Sequence, residues 1–146
     1  MAVRRFSISD IHAVMRVTKK SLGETYPPSL YLTIHNIWAD GFMISEENGQ
    51  VVGFIAAVES EKRVARILML AVLPEHRQRL HGSRLLKKLE DRCRAGAFQA
   101  IRLEVRKSNL TAISFYERRG YSVVGDIDNF YLNGEDAYQM MKVMQS

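Results

Sequence analysis

Apolar residues recur along this chain with two periods, and the two take turns. Ser9 or Asp10 can cap a helix, and Ile11, Val14, Met15 and Val17 then share one face, which predicts a helix to about Ser21. Gly23 and the Pro27-Pro28 pair break it. Leu30, Ile34 and Ile37 predict a second helix from about Ser29 to Trp38. Runs of strand length lie on either side. Val3–Ile8 precedes the helices; Phe42–Ser45, Gln50–Val58 and Ala65–Leu73 follow, the first two joined at Asn48-Gly49 as a hairpin and the third ended by Pro74. Leu85, Leu86 and Leu89 make Gly82–Arg94 amphipathic, and Gly96 ends that helix. Ala100–Arg106 alternates strictly, Asn109–Arg119 reads as a helix closed by Gly120, and Tyr121–Val124 and Tyr138–Val143 read as strands. The order βααβββαβαββ predicts one mixed α/β domain over residues 1–146, with helices interrupting a largely antiparallel sheet.

Composition narrows the class. The chain has 146 residues, 47% of them apolar, enough for one core without staples. A single Cys excludes an internal disulfide, and no Cys/His cluster has zinc spacing, so no metal is expected. Cys93 falls mid-helix without an activating partner and reads as structural. No apolar run approaches the roughly 18 residues of a membrane helix, and the N-terminus MAVRRFSISD has no apolar signal core. The expectation is a soluble cytoplasmic domain with no membrane partner. The net charge of +5 is unevenly spread: residues 62–107 hold 13 basic and 4 acidic side chains, leaving an acidic remainder.

That basic stretch holds the first chemical candidate. In Leu70-Ala71-Val72-Leu73-Pro74 an apolar strand ends; Arg77, Gln78, Arg79, Leu80 and His81 form a basic turn; a helix opens at Gly82 and Ser83. Unpaired N–H groups and a partial positive charge make such a helix start an anion site. A solvated basic turn reads equally well, and His81 is either a phosphate contact or a surface residue. On Ala100–Arg106 the alternation turns Arg102, Glu104 and Arg106 away from the apolar face. Glu104 is then a carboxylate paired with its arginine neighbours or a general base. Tyr116 is a core aromatic or a phenol that protonates a leaving group. Asn109 is an N-cap or a ligand contact.

Four segments resemble the GNAT acetyltransferase family, and within it the RimI branch and the catalytic subunit of the NatA complex. LAVLPEHRQRLHG (Leu70–Gly82) is similar to the family's strand and acetyl-CoA loop, and LEVRKSNLTAISFYERRGY (Leu103–Tyr121) is the closest match. NFYLNGEDAYQM (Asn129–Met140) is similar to the branch's C-terminal hairpin, and SLGETYPPSLY (Ser21–Tyr31) to its substrate-side loop. The resemblance implies the GNAT fold, a mixed, largely antiparallel central sheet flanked by about four helices. It implies direct transfer of acetyl from acetyl-CoA to a protein N-terminal amine, in ribosomal or other proteins, without metal.

It also implies roles. Glu104 matches the base and Tyr116 the acid. Leu70, Ala71 and Val72, the loop Arg77–Ser83, Asn109 and Tyr116 match cofactor positions. Glu24, Tyr26, Tyr31 and Tyr131 match positions lining the peptide groove. An auxiliary subunit fits the resemblance and is not required by it. Two positions depart from the family pattern: Leu80 stands where the loop has its first glycine, and Gly23 where the branch has proline. Other readings are a GNAT enzyme for lysine or small amines, an inactive relative, and an RNA or ribosome-binding module. The last is disfavoured because residues 62–107 carry a single aromatic, Phe98, and such modules pair basic groups with stacking rings.

Overall fold

A computed structural model describes residues 2–144, and the elements come in the predicted order. Strand β1 is Ala2–Arg5; α1 is Ile11–Leu22; α2 is Pro28–Ile37. The meander β2 (Phe42–Glu47), β3 (Gln50–Glu61) and β4 (Val64–Val72) follows, then α3 (His81–Ala95), β5 (Ala100–Arg106), α4 (Leu110–Glu117), β6 (Ser122–Ile127) and β7 (Ala137–Val143). The seven strands form one sheet in the order β1-β2-β3-β4-β5-β7-β6. Every pairing is antiparallel except β4 with β5. Among the described residues no helix is long and apolar enough to cross a membrane.

Both faces of the sheet are covered, and the period of two on β3 shows how. Phe54, Ala56 and Val58 enter one core with Val14 and Val17 of α1 and Tyr31 and Ile34 of α2. Ile55 and Ala57 enter the other, with Leu85, Leu86, Leu89 and Cys93 of α3 and Tyr116 of α4. A strand covered on both faces reads as a continuous apolar run, which is why Val51–Val58 lacks polar alternation. Cys93 is buried there, and burial pushes its thiol up to about 12, as a structural cysteine requires.

Boundaries move where local chemistry wins. β1 stops at Arg5 because Phe6 turns into the core while exposed Ile8 opens a 3-10 turn over Ile8–Asp10. Asp10 is not a free cap: its carboxylate accepts from the Ser7 backbone N–H at 2.8 Å and from both ends of the Arg4 guanidinium at 2.9 Å. Gly23, in a left-handed conformation (φ 69°), ends α1 and donates to the Lys19 carbonyl.

Candidate active site

The site begins with a defect in the sheet. On β3, Ala56 faces Met69 but the next residue, Ala57, faces Ile67, so Leu68 is an extra residue bulged out of β4. β4 and β5 pair only from Val64↔Ala100 to Ile67↔Leu103. Beyond the bulge they part, and among the described residues no strand pairs with β4 on its β5 side. The wedge is lined by Leu68, Met69 and Leu70 of β4, Glu104 and Val105 of β5, Leu22 of α1, and Ala112 and Tyr116 of α4. It is a cavity of about 150 Å³. Sites that enclose a drug-sized ligand run to about 300–1,000 Å³, so this one takes only the reacting end of a larger molecule.

The split brings the two sequence candidates together across the sheet. Ile101, Leu103 and Val105 lie in the core under α3 and α4, so Glu104 points to the opposite face. Arg66 on β4 is level with Arg102 on β5, and both guanidiniums turn to Glu104. Arg66 Nε donates to Oε1 at 2.8 Å and Arg102 Nη1 to Oε2 at 2.9 Å. The Glu104 side chain is only 7% exposed, so the cavity is its approach. Arg66 Nη2 also stands 2.7 Å from Oε1, so Oε2 is the oxygen that keeps an accepting direction beyond its arginine. The pairing with Arg102 follows from their i, i+2 spacing; Arg66, 38 residues away, had no signal in the sequence. Tyr116 reaches the cavity from α4. Burial raises its phenol above the ordinary range, keeping the proton on the oxygen, as an acid requires. Tyr116 is thus both a core aromatic and a cavity residue.

The loop after α1 and the β6–β7 connection lie near enough for Glu24 to act on the Tyr131 phenol. The Tyr26 hydroxyl donates to Glu24, and this bond pushes the phenol up to about 12. Tyr131 lies under the Arg106 guanidinium, 3.9 Å from its ring centroid. Arg106 also donates to Glu135 at 3.2 Å, and the Tyr131 N–H donates to the Glu135 carbonyl, so the strand face that carries Glu104 also fixes this loop. Burial raises the Tyr131 phenol, and the charges of Glu104, Glu135 and Glu24 all act on it. Tyr31 is a correction. It is fully buried between α1 and α2, its hydroxyl donating to Thr18 Oγ1 at 3.0 Å, and it lines no groove. A spacing of three from Ile34 gave it the core face.

The basic loop takes a mixed form. Leu70 lines the cavity; Ala71 is buried opposite Phe54; the Val72 carbonyl accepts from Arg77 Nε at 3.2 Å. After a 3-10 turn over Pro74–His76, Gln78 (φ 66°) and Leu80 (φ 69°) both adopt the left-handed conformation. Leu80 therefore keeps the backbone shape of the glycine it replaces, at an energetic cost. Ser83 Oγ donates to the Leu80 carbonyl at 3.1 Å, and Gly82 packs near Phe115. Asn109 acts as the N-cap of α4, accepting from the Ala112 N–H at 3.1 Å.

Two loop residues turn elsewhere. Arg79 donates to Glu47 Oε1 at 3.2 Å. His81 is not on the surface: its ring is buried, with Nδ1 2.6 Å from Ser45 Oγ and Nε2 3.1 Å from Glu47 Oε2. Only its backbone N–H remains for an anion. The two imidazoles, His81 foremost, hold the Glu47 carboxyl down to about 2. The basic stretch is no continuous cationic surface, because Arg66, Arg79, Arg102, Arg106 and Lys107 all pair with carboxylates.

Comparison with known proteins agrees with this geometry. Residues 11–121 match the model of the acetyltransferase (GNAT) family. An uncharacterized N-acetyltransferase of Methanocaldococcus jannaschii is 36% identical over 143 residues, covering 97% of this chain and 91% of its own. The catalytic subunit NAA20 of the N-terminal acetyltransferase B complex of Arabidopsis thaliana is 31% identical, with 97% and 84% covered. Among solved structures, Ard1 from Thermoplasma volcanium superposes with a TM-score of 0.95 at 35% identity, covering 99% of this chain and 98% of that one. Naa20 of Chaetomium thermophilum, in complex with a bisubstrate analogue, gives 0.87 at 29% identity, with 99% and 87% covered. A sheet split between β4 and β5, a carboxylate and a phenol meeting in the split, and a family match over three quarters of its length together make this chain a member of the GNAT acetyltransferase family.

Proposed function

We propose that this chain is an N-α-acetyltransferase, moving an acetyl group from acetyl-CoA to the free amino terminus of a peptide or protein. One observation carries the reading: Glu104 and Tyr116 line a single cavity where β4 and β5 part. The names of the relatives support it, since they include N-α-acetyltransferases of Sulfolobus acidocaldarius and Arabidopsis.

Acetyl-CoA supplies the acetyl group as a thioester. The residues present fit it. The free edge of β4 past Leu68 offers backbone groups to an extended arm, as a sheet edge does for an added strand. The start of α3, with exposed Arg77 and Arg84 nearby, offers N–H groups and positive charge to phosphates. A peptide α-amine has a pKa of about 7.7–8.0, so it arrives mostly protonated at pH 7 and must lose that proton. Glu24 and the Tyr26 phenol that donates to it suit its charge. Glu104 takes the proton, directly or through one water in the cavity, while Arg66 and Arg102 keep the carboxylate in place. The neutral amine would attack the thioester carbonyl, and the C–S bond would break. Tyr116 would give its hydroxyl proton to the departing sulfur and be reprotonated through the cavity by the proton that the nitrogen loses as the amide forms.

The assay is acetylation of a peptide with a free N-terminus against its N-blocked, lysine-containing analogue. Product from the first alone is expected. Glu104→Gln and Tyr116→Phe should each lower kcat roughly 10²-fold. Product from the blocked peptide overturns the α-amine assignment, and wild-type kcat in both variants overturns the two roles. Ribosomal proteins as substrates and an auxiliary subunit as partner belong to the same reading: one structural neighbour is the ribosomal-protein-S18-alanine N-acetyltransferase of Escherichia coli, and other relatives are catalytic subunits of complexes.

A further inference from the structure

A second cluster of reactive side chains lies away from the cavity, at the foot of the basic loop. Glu47 ends β2, His76 ends the 3-10 turn, and His81 opens α3. Glu47 Oε2 is 2.5 Å from His76 Nδ1 and 3.1 Å from His81 Nε2, and the three ligand atoms all lie within 4.8 Å of one another. No step of acetyl transfer needs them. The His81 ring is wholly buried, and Ser45 Oγ, also buried, sits on its other nitrogen at 2.6 Å. Without an ion, Nε2–H donates to the Glu47 carboxylate and Nδ1 accepts from Ser45 Oγ; an ion would displace the Nε2 proton, and Nδ1–H would then donate to Ser45 Oγ. Metal-bound imidazoles are oriented in this way, by a fixed partner on the far ring nitrogen.

We propose that Glu47, His76 and His81 form a binding site for a divalent transition-metal ion of the Zn²⁺ class. Two imidazole nitrogens and one carboxylate oxygen suit Zn²⁺ and its neighbours, whereas Ca²⁺ and Mg²⁺ take oxygen ligands. Metal–ligand bonds of about 2.0–2.2 Å place tetrahedral ligands roughly 3.3 Å apart. His81 and Glu47 already stand close to that separation at 3.1 Å, and His76, now 2.5 Å from Glu47, must shift to meet both. Its side chain is 21% exposed, so it can move, and the fourth position opens to water. Arg79 holds the other oxygen, Oε1, and with a side chain 54% exposed it can swing into solvent as a cation arrives. The ion would tie the end of β2 to both ends of the loop over residues 76–81.

The test uses the full chain stripped of metal, titrated with Zn²⁺ alone by calorimetry and with Co²⁺ by visible absorption. One Zn²⁺ per chain and the ligand-field bands of a tetrahedral Co²⁺ site are expected. His76→Ala and Glu47→Gln should each weaken Zn²⁺ binding roughly ten-fold or more, with circular dichroism checking that both remain folded. His12→Ala, far along the chain on exposed α1, should leave it unchanged. Absence of Zn²⁺ heat and of a Co²⁺ spectrum overturns the site. So does wild-type affinity in both His76→Ala and Glu47→Gln, which would place the metal on other histidines.

Discussion

Leu80 holds a backbone conformation that L-residues avoid, and comparing Leu80→Gly with Leu80→Ala isolates that cost. Its φ is 69° and the residue is 60% exposed, so either substitution loses little packing. An L-residue in the left-handed region costs roughly 1–2 kcal/mol. Glycine escapes that cost but gives up about 0.5–1 kcal/mol relative to alanine through the freedom of its unfolded chain. The balance leaves Leu80→Gly more stable than Leu80→Ala by roughly 0.5–1 kcal/mol. For a chain of this size that is about 1–4 °C in Tm, read by calorimetry or by the urea midpoint. The sign is the informative part. At Lys88, exposed within α3, the same pair should order the other way, with Gly less stable than Ala by about 1 kcal/mol. If Leu80→Ala equals or exceeds Leu80→Gly, position 80 is not left-handed in solution. The KM for acetyl-CoA should be no higher in Leu80→Gly than in wild type, because glycine keeps the loop shape.

Three further outcomes follow from other contacts. Tyr121 Oη donates to the buried Glu90 carboxylate at 2.9 Å, and Lys142 stays on it at 3.2 Å, so Tyr121→Phe should cost about 1.5–2 kcal/mol, the low end for a bond to a charged group, lowering the urea midpoint with m unchanged. An unmoved midpoint would show that Lys142 alone satisfies Glu90. The Arg4 guanidinium holds the Asp10 carboxyl below its ordinary value, so its stabilisation is full above the unfolded pKa of about 3.9 and is lost as pH falls through the folded one. The Tm gap between wild type and Asp10→Asn should therefore be widest at neutral pH and shrink below about pH 4; a constant gap would contradict the linkage. Arg77 anchors to the Val72 and Ser21 carbonyls beside the start of α3, and Arg77→Ala should raise the KM for acetyl-CoA, an unchanged KM arguing against a phosphate contact.

Much of the candidate site was legible because it rests on short-range periodicity. Strict alternation turned Glu104 away from the core, and the resemblance over Leu103–Tyr121 joined it to Tyr116. Tyr31 failed for the same kind of reason: its match to a groove position competed with its own helical spacing, and the core won because a ring on the apolar face of α2 buries more surface than one in a loop. For His81 only the surface alternative fell: a histidine in a basic turn gives no hint that its ring packs inward against Ser45.

The element order and the outward face of β5 follow from residue types and spacing alone, because period and backbone preference are local properties; the glycine-like demand at position 80 came from the family resemblance, since a leucine carries no sign of it. The split between β4 and β5 does not follow from either. It depends on one bulged residue, Leu68, whose register is set by β3 and not by its own neighbours. Nor does the clamp of Arg66 on Glu104, or the meeting of Glu47 with His81 from 34 residues away. Those contacts exist only once the sheet has brought distant strands side by side, and a carboxylate's partners in a fold are chosen by that geometry.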